Sequence, residues 1–131
     1  MAQKEIELIL SRQFADLLDT PIFITDTEGN LLFYNKPSEK ILGLKYEDTG
    51  PMPVGEWSTV FQPQDEEGRD LPPSYLPLVK SLRNKMPAQA NFWIEGLDGS
   101  RRYLSVTSFP IIGQGHRFLG AIAIFWENET E

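Results

Sequence analysis

Near the N-terminus apolar residues recur at spacings of three and four: Ile6, Ile9, Leu10, Phe14, Leu17 and Leu18, with Glu5, Glu7, Arg12 and Asp16 between them. This period predicts an amphipathic helix over residues 3–19. Pro21 stops it, because proline disfavours the helical conformation in the residue before it. Two short β-rich runs follow, PIFITD and LLFYN, on either side of Asp26-Thr27-Glu28-Gly29-Asn30. That linker has hairpin turn chemistry, since Gly29 and Asn30 both tolerate a positive φ. Asn35 is placed to cap a short helix over 37–42, with Pro37 in its first turn and Gly43 as its stop.

Residues 45–73 break the pattern. Seven of the ten prolines fall between Pro51 and Pro87, which predicts a mostly irregular stretch with Trp57, Val60 and Phe61 as apolar anchors. A loop of that length inside a small domain serves as a lid or binding rim, or else is a plain insertion tethered by its aromatic residues. A helix is expected over 74–85, with Ser74 as its cap and an apolar face of Leu78, Val79 and Leu82. Lys80, Arg83 and Lys85 gather toward its C-terminal end, where cations complement the helix dipole. Three strands, near 88–96, 101–112 and 117–127, form a meander through turns at Leu97-Asp98-Gly99-Ser100 and Gly113-Gln114-Gly115-His116.

Strands grouped around a block of helices give an α+β domain with an antiparallel sheet. The last strand, Phe118 to Trp126, is apolar at both parities, and so is PIFI at 21–24. A sheet with one wet face alternates, so both faces are expected to be covered. The central helices cover one; the N-terminal helix or a second subunit covers the other.

Composition then removes chemistry. There is no cysteine, which excludes disulfides, thiolate metal sites and cysteine nucleophiles. The single histidine, His116, lies in a turn and reads as an exposed loop residue rather than a metal or haem ligand. The net charge of −7, with no lysine or arginine run, argues against nucleic acid or an anionic membrane as partner. No apolar stretch approaches the ~20 residues needed to cross a bilayer, and MAQKEIELIL lacks a signal peptide's basic start. A cytoplasmic location is expected. No nucleophile elbow, phosphate-binding glycine loop or metal motif is present, so an enzyme is not expected. Asp26 and the Asp65-Glu66-Glu67 cluster read as turn residues, and Arg101 and Arg102 as cross-strand partners of Glu95.

In order, PIFITDTEGNLLFYN closing on Asn35, Gly43-Leu44, DEEGRDLPPSYLPLVKSL, LDGSRRYLSVTSFPI with Pro110, and Leu119-Gly120-Ala121 resemble a PAS domain over roughly residues 10–127. PAS domains are sensor modules of bacterial signalling proteins such as sensor histidine kinases. The resemblance divides the chain into a flanking helix (1–20), the PAS domain (21–127) and a tail (128–131). It implies a five-stranded antiparallel sheet with short helices on one face, the N-terminal helix on the other, and a cavity against the inner face. Family members commonly end in an Asp-Ile-Thr signature leading to a coiled-coil linker. Here that position reads Glu127-Asn128-Glu129-Thr130, and an output domain is expected downstream in a longer protein.

The missing cysteine argues against a flavin-cysteinyl adduct or a thioester-linked chromophore. The expected helix carries no axial histidine for haem, and Met86 at its end reads as packing. Flavin held without a covalent link stays open, with Trp57 or Trp93 as stacking platforms. A small apolar ligand fits the expected lining better: Ile41, Leu44, Leu78, Leu82, Trp93, Ile94, Val106, Ile122 and Ile124. The alternative is that these side chains fill the space themselves, leaving a ligand-free module that only dimerises. Ile6, Ile9, Leu10, Phe14 and Leu17 are the expected surface of a homodimer.

Overall fold

A computed structural model describes residues 6–43, 45–60, 62–96 and 99–128. Helix α1 (Ile6–Asp16) leads into the hairpin β1 (Ile22–Thr25) and β2 (Leu31–Tyr34). Helices α2 (Lys36–Leu42), α3 (Tyr46–Thr49) and α4 (Val54–Val60) follow. A 3₁₀ turn at Pro73–Tyr75 precedes α5 (Pro77–Asn84), and the chain ends in β3 (Ala88–Glu95), β4 (Arg101–Ile112) and β5 (Phe118–Glu127). The five strands form one sheet in the order β2-β1-β5-β4-β3, with every neighbouring pair antiparallel. The expected α+β class and five-stranded sheet are what the chain forms.

Side-chain chemistry sets the hairpin. Asp26 Oδ1 accepts from the backbone N–H groups of Glu28 and Asn30, both at 2.9 Å, which fixes the turn between β1 and β2. Asn35 then joins three elements. Its Oδ1 accepts from the backbone N–H groups of Ile22 (3.0 Å) and Ser38 (3.3 Å), capping α2. Its Nδ2 donates to the carbonyls of Ala15 (3.0 Å) and Thr20 (2.8 Å), at the end of α1 and just beyond it.

Three local expectations are corrected. The stretch read as irregular contains α3 and α4, helices of one to two turns too short to leave a periodic signal. The helix expected from Ser74 starts at Pro77 instead: Leu76 precedes a proline, is held extended (φ −70°, ψ 134°) and separates the 3₁₀ turn from α5. Arg101 does stand opposite Glu95 in the β3–β4 register, but its guanidinium stacks over Trp93 at 4.2 Å. Arg102 pairs with Glu127 across β5 at 2.9 Å.

The inner face of the sheet is covered, whereas the outer face is covered only in part, with Gln89, Asn91 and Trp126 exposed on that side. On the inner face Phe23, Leu31, Phe92, Ile94, Leu104, Val106, Ala121, Ala123 and Phe125 pack with Leu42, Met52, Trp57, Leu76 and Leu78. On the outer face Ile22, Ile24, Phe33, Ile111 and Leu119 pack with Ala15, Leu8 and Leu18 of the N-terminal segment, and Ile122 and Ile124 lie against them. The free edge of β3 is closed by Gln64, which exchanges two backbone hydrogen bonds with Trp93 (2.8 and 2.9 Å).

Candidate functional site

The inner-face core is not completely filled. A hollow of about 80 Å³ lies between the sheet and the helical layer. Its floor is Phe23 of β1, Phe92 and Ile94 of β3, Leu104 and Val106 of β4, and Ala123 and Phe125 of β5. Leu42, Trp57, Pro63, Leu76, Pro77 and Leu78 form its roof. Three of those six, Trp57, Pro63 and Leu76, come from the stretch linking α3 to α5, so that stretch forms much of the roof. Left empty, a hollow of this size forfeits roughly 2 kcal/mol at ~24 cal/mol per Å³.

The roof is held by hydrogen bonds to groups that are not on the wall. Trp57 Nε1 donates to the Gly29 carbonyl at 2.7 Å, which ties α4 to the hairpin turn. Ser81 of α5 and Ser108 of β4 share a hydrogen bond between hydroxyls at 2.6 Å, and Ser81 Oγ also donates to the Met86 carbonyl at 2.8 Å. Every one of the thirteen lining residues is apolar in its side chain or, for Trp57, has its N–H already engaged. One buried hydroxyl, Thr25 Oγ1, has no partner among the described residues, and Thr25 is not part of the wall.

The residues expected to line a ligand site are distributed as follows. Leu78, Ile94 and Val106 are on the wall. Ile41 is buried in the same cluster, but the wall position belongs to its neighbour Leu42; Leu82 packs at the cluster's margin. Leu44 lies outside the described residues. Ile122 and Ile124 face the outer side, because Ala121, Ala123 and Phe125 take the inward parity of β5. Trp93 likewise points away from Phe92 and Ile94, and its ring stands 5.0 Å from that of Tyr103. The sequence reading missed Phe23, Phe92, Leu104, Ala123 and Phe125; the alternation of β3 and β4 around Ile94 and Val106 already implies Phe92 and Leu104.

Of the expected dimer surface, Ile9, Leu10, Phe14 and Leu17 are exposed, Leu17 at 82%. The side chain of Ile6 lies outside the described residues. A groove of about 250 Å³ runs beside α1 between Arg12, Gln13 and Phe33. A third hollow, of about 330 Å³, borders the Asp65–Arg69 turn. There Asp65 accepts from the Arg69 backbone and side chain, both at 2.9 Å, and from the Glu67 backbone at 2.9 Å. These bonds, the Arg69 backbone first, hold its carboxyl below the usual carboxylate range. No group of three or more metal-ligating side chains occurs among the described residues. No helix among them is long and apolar enough to cross a membrane.

Compared with protein-family models, residues 19–131 match that of the PAS domain. The chain belongs to the PAS domain family. Solved structures agree on the fold. The PAS domain of a Colwellia psychrerythraea protein superposes with a TM-score of 0.63 at 19% identity, covering 95% of this chain and 98% of that one. The PAS domain of Bordetella pertussis BvgS gives 0.69 at 16% identity, over 96% and 89%. A Rhodobacter sphaeroides LOV protein gives 0.72 at 13% identity, over 94% and 68%. No protein of curated function matches the chain. At such identities the likeness concerns the fold alone. PAS domains generally serve as sensory signalling modules, typically without catalysis, and commonly sit in multidomain signalling proteins and dimerise.

A PAS-type flavin or haem does not fit these walls. Pockets for drug-sized ligands run to about 300–1,000 Å³ with a few polar groups placed to orient the guest. This hollow is several-fold smaller and offers none among its described lining residues.

Proposed function

We propose that this PAS domain is a cytoplasmic sensory module that takes a small apolar ligand into its inner-face hollow and relays occupancy to an output domain. The relay runs through a homodimer built on α1 and the outer face of the sheet. The observation that carries this reading is the apolar hollow itself, roofed by Trp57, Pro63 and Leu76 from the stretch between α3 and α5. A guest that favours one roof position shifts the balance between two arrangements by its differential contacts with them. On the other side of the sheet, Ile9, Leu10, Phe14 and Leu17 give the dimer an apolar surface.

A second reading has its own support. At about 80 Å³ the hollow is small enough to be a packing defect in a ligand-free module that only dimerises. Native mass spectrometry of freshly purified protein separates the two. A bound small mass supports sensing; its repeated absence supports the packed interior. Light scattering at high micromolar concentration tests the dimer, and a monomer there overturns that part of the proposal.

A further inference from the structure

The hollow has two properties that together restrict its guest more narrowly than "apolar". The first is size. Dry apolar cavities of about 150 Å³ take benzene or xenon, and this one is about 80 Å³. Its floor is sheet, in which Leu104, Val106, Ala123 and Phe125 belong to strands paired on both sides, so the floor does not give. Its roof is short helices and a proline-rich link, so a ring-sized guest enters only with an outward adjustment of the roof.

The second property is the absence of any free polar side-chain group among the described residues of its wall. Trp57 Nε1, the single side-chain donor among the described lining residues, is held by the Gly29 carbonyl. The hydroxyls nearest in kind, Ser81 and Ser108, satisfy each other and the Met86 carbonyl. A guest's hydroxyl, amide or carboxylate set against this wall gains no hydrogen bond from the described lining residues, which weakens binding by about ten- to a hundred-fold for a hydroxyl and more for a charge.

We propose that the hollow selects compact, uncharged hydrocarbon guests of at most one ring and discriminates against those bearing hydrogen-bonding groups. This rests on the reading of the hollow as a ligand site. Aromatic side chains of Phe23, Trp57, Phe92 and Phe125 line it and suit a flat or near-spherical apolar guest.

The test is an amide NMR titration of the full chain with benzene and with phenol, alongside xenon under pressure. Saturable shifts at Leu104, Val106, Ala123 and Phe125 with benzene and xenon, and phenol weaker by about ten-fold or more, support the proposal. Ala123→Leu, which fills the hollow from its floor, should abolish the benzene response in a domain that keeps a folded spectrum. Ala123→Val serves the same purpose should the larger side chain unfold the domain. Phenol binding at these residues as tightly as benzene overturns the selectivity while leaving the ligand site standing. Entry of neither benzene nor xenon overturns both, and the hollow is then a packing defect.

Discussion

The guanidinium of Arg12 lies 4.5 Å from the centre of the Phe33 ring, joining α1 to the outer end of the hairpin. The same group lies 5.8 Å from the ring of Tyr46, and the two rings meet edge to face at 5.4 Å. Tyr46 in turn packs edge-on against Tyr34, Tyr34 stacks on Phe23, and Phe23 meets Trp57 at 5.3 Å on the wall of the hollow. A contiguous series of rings therefore connects the N-terminal helix with the inner cavity around the β2 edge.

Arg12 is exposed, so its stacking contributes modestly: Arg12→Ala should lower stability by about 0.5–1 kcal/mol. Its charge also opposes the upward push that burial gives the Tyr46 phenol. In the variant Tyr46 should titrate at still higher pH. Urea denaturation reads the first effect and tyrosinate absorbance the second; an unchanged Tyr46 titration would mean the guanidinium does not sit over the ring in solution.

Asn35 is 1% exposed and uses both ends of its amide to hold α1, β1 and α2 together. Asn35→Ala removes the α2 cap, worth about 1 kcal/mol, and leaves the buried Ile22 N–H without that partner, while the Ala15 carbonyl keeps the Leu18 N–H as a donor. Each buried group so orphaned costs about 1–3 kcal/mol. The expected loss is about 3 kcal/mol or more, seen as a lower urea midpoint. A loss under 1 kcal/mol would show that water replaces the amide at that junction.

Alkaline pH should unfold the domain through two phenols. Burial is the leading cause that raises the Tyr34 phenol above its ordinary 10.0, with a hydrogen bond to Thr49 acting the other way; burial also raises Tyr46. A folded-state value above the unfolded one stabilises the fold in full below pH ~10. That contribution is lost as pH rises through the folded-state values. Tyrosinate absorbance and circular dichroism followed together should show late ionisation coinciding with loss of structure, and Tyr34→Phe should remove part of the effect. Ionisation of all four tyrosines near pH 10 in a folded domain would contradict the burial of Tyr34.

Much of this architecture was legible in the residues because local chemistry specified it. Asp26 and Asn30 set the hairpin, Asn35 and Gly43 bracket α2, and Pro110 and the small residues of β5 fit the sheet meander. The site was less legible, for one physical reason. β5 is apolar at both parities, so periodicity cannot say whether Ile122 and Ile124 or Ala123 and Phe125 face inward. The small inward residues leave space beneath α5, while the branched ones pack outward against the N-terminal segment. Trp93 and Ile94 were expected on one wall although adjacent strand residues point to opposite faces. The helices α3 and α4 were hidden by prolines and by their own brevity.

Gly120 lies at the end of the antiparallel β1–β5 pairing, next to Ala121 opposite Thr25, and its substitution should damage fold and hollow together. It adopts φ +150°, and a Cβ placed on it would lie 2.1 Å from the Thr25 carbonyl oxygen and 3.2 Å from Asp26 Cα. Backbone atoms of a paired strand cannot retreat as a flexible side chain can. The strain of the dihedral and the overpacking each cost about 1–3 kcal/mol, so Gly120→Ala should lose about 3 kcal/mol or more. Gly115, at φ +70° with nothing within 4 Å of its virtual Cβ, supplies the control: Gly115→Ala meets the dihedral penalty without the collision and should cost about 1 kcal/mol. Because Phe23 and Ala123 pair across the same β1–β5 seam, Gly120→Ala should also disturb the amide resonances that line the hollow. Urea midpoints of the two variants decide the matter; equal costs would mean that β5 stands farther from Thr25 than this seam requires.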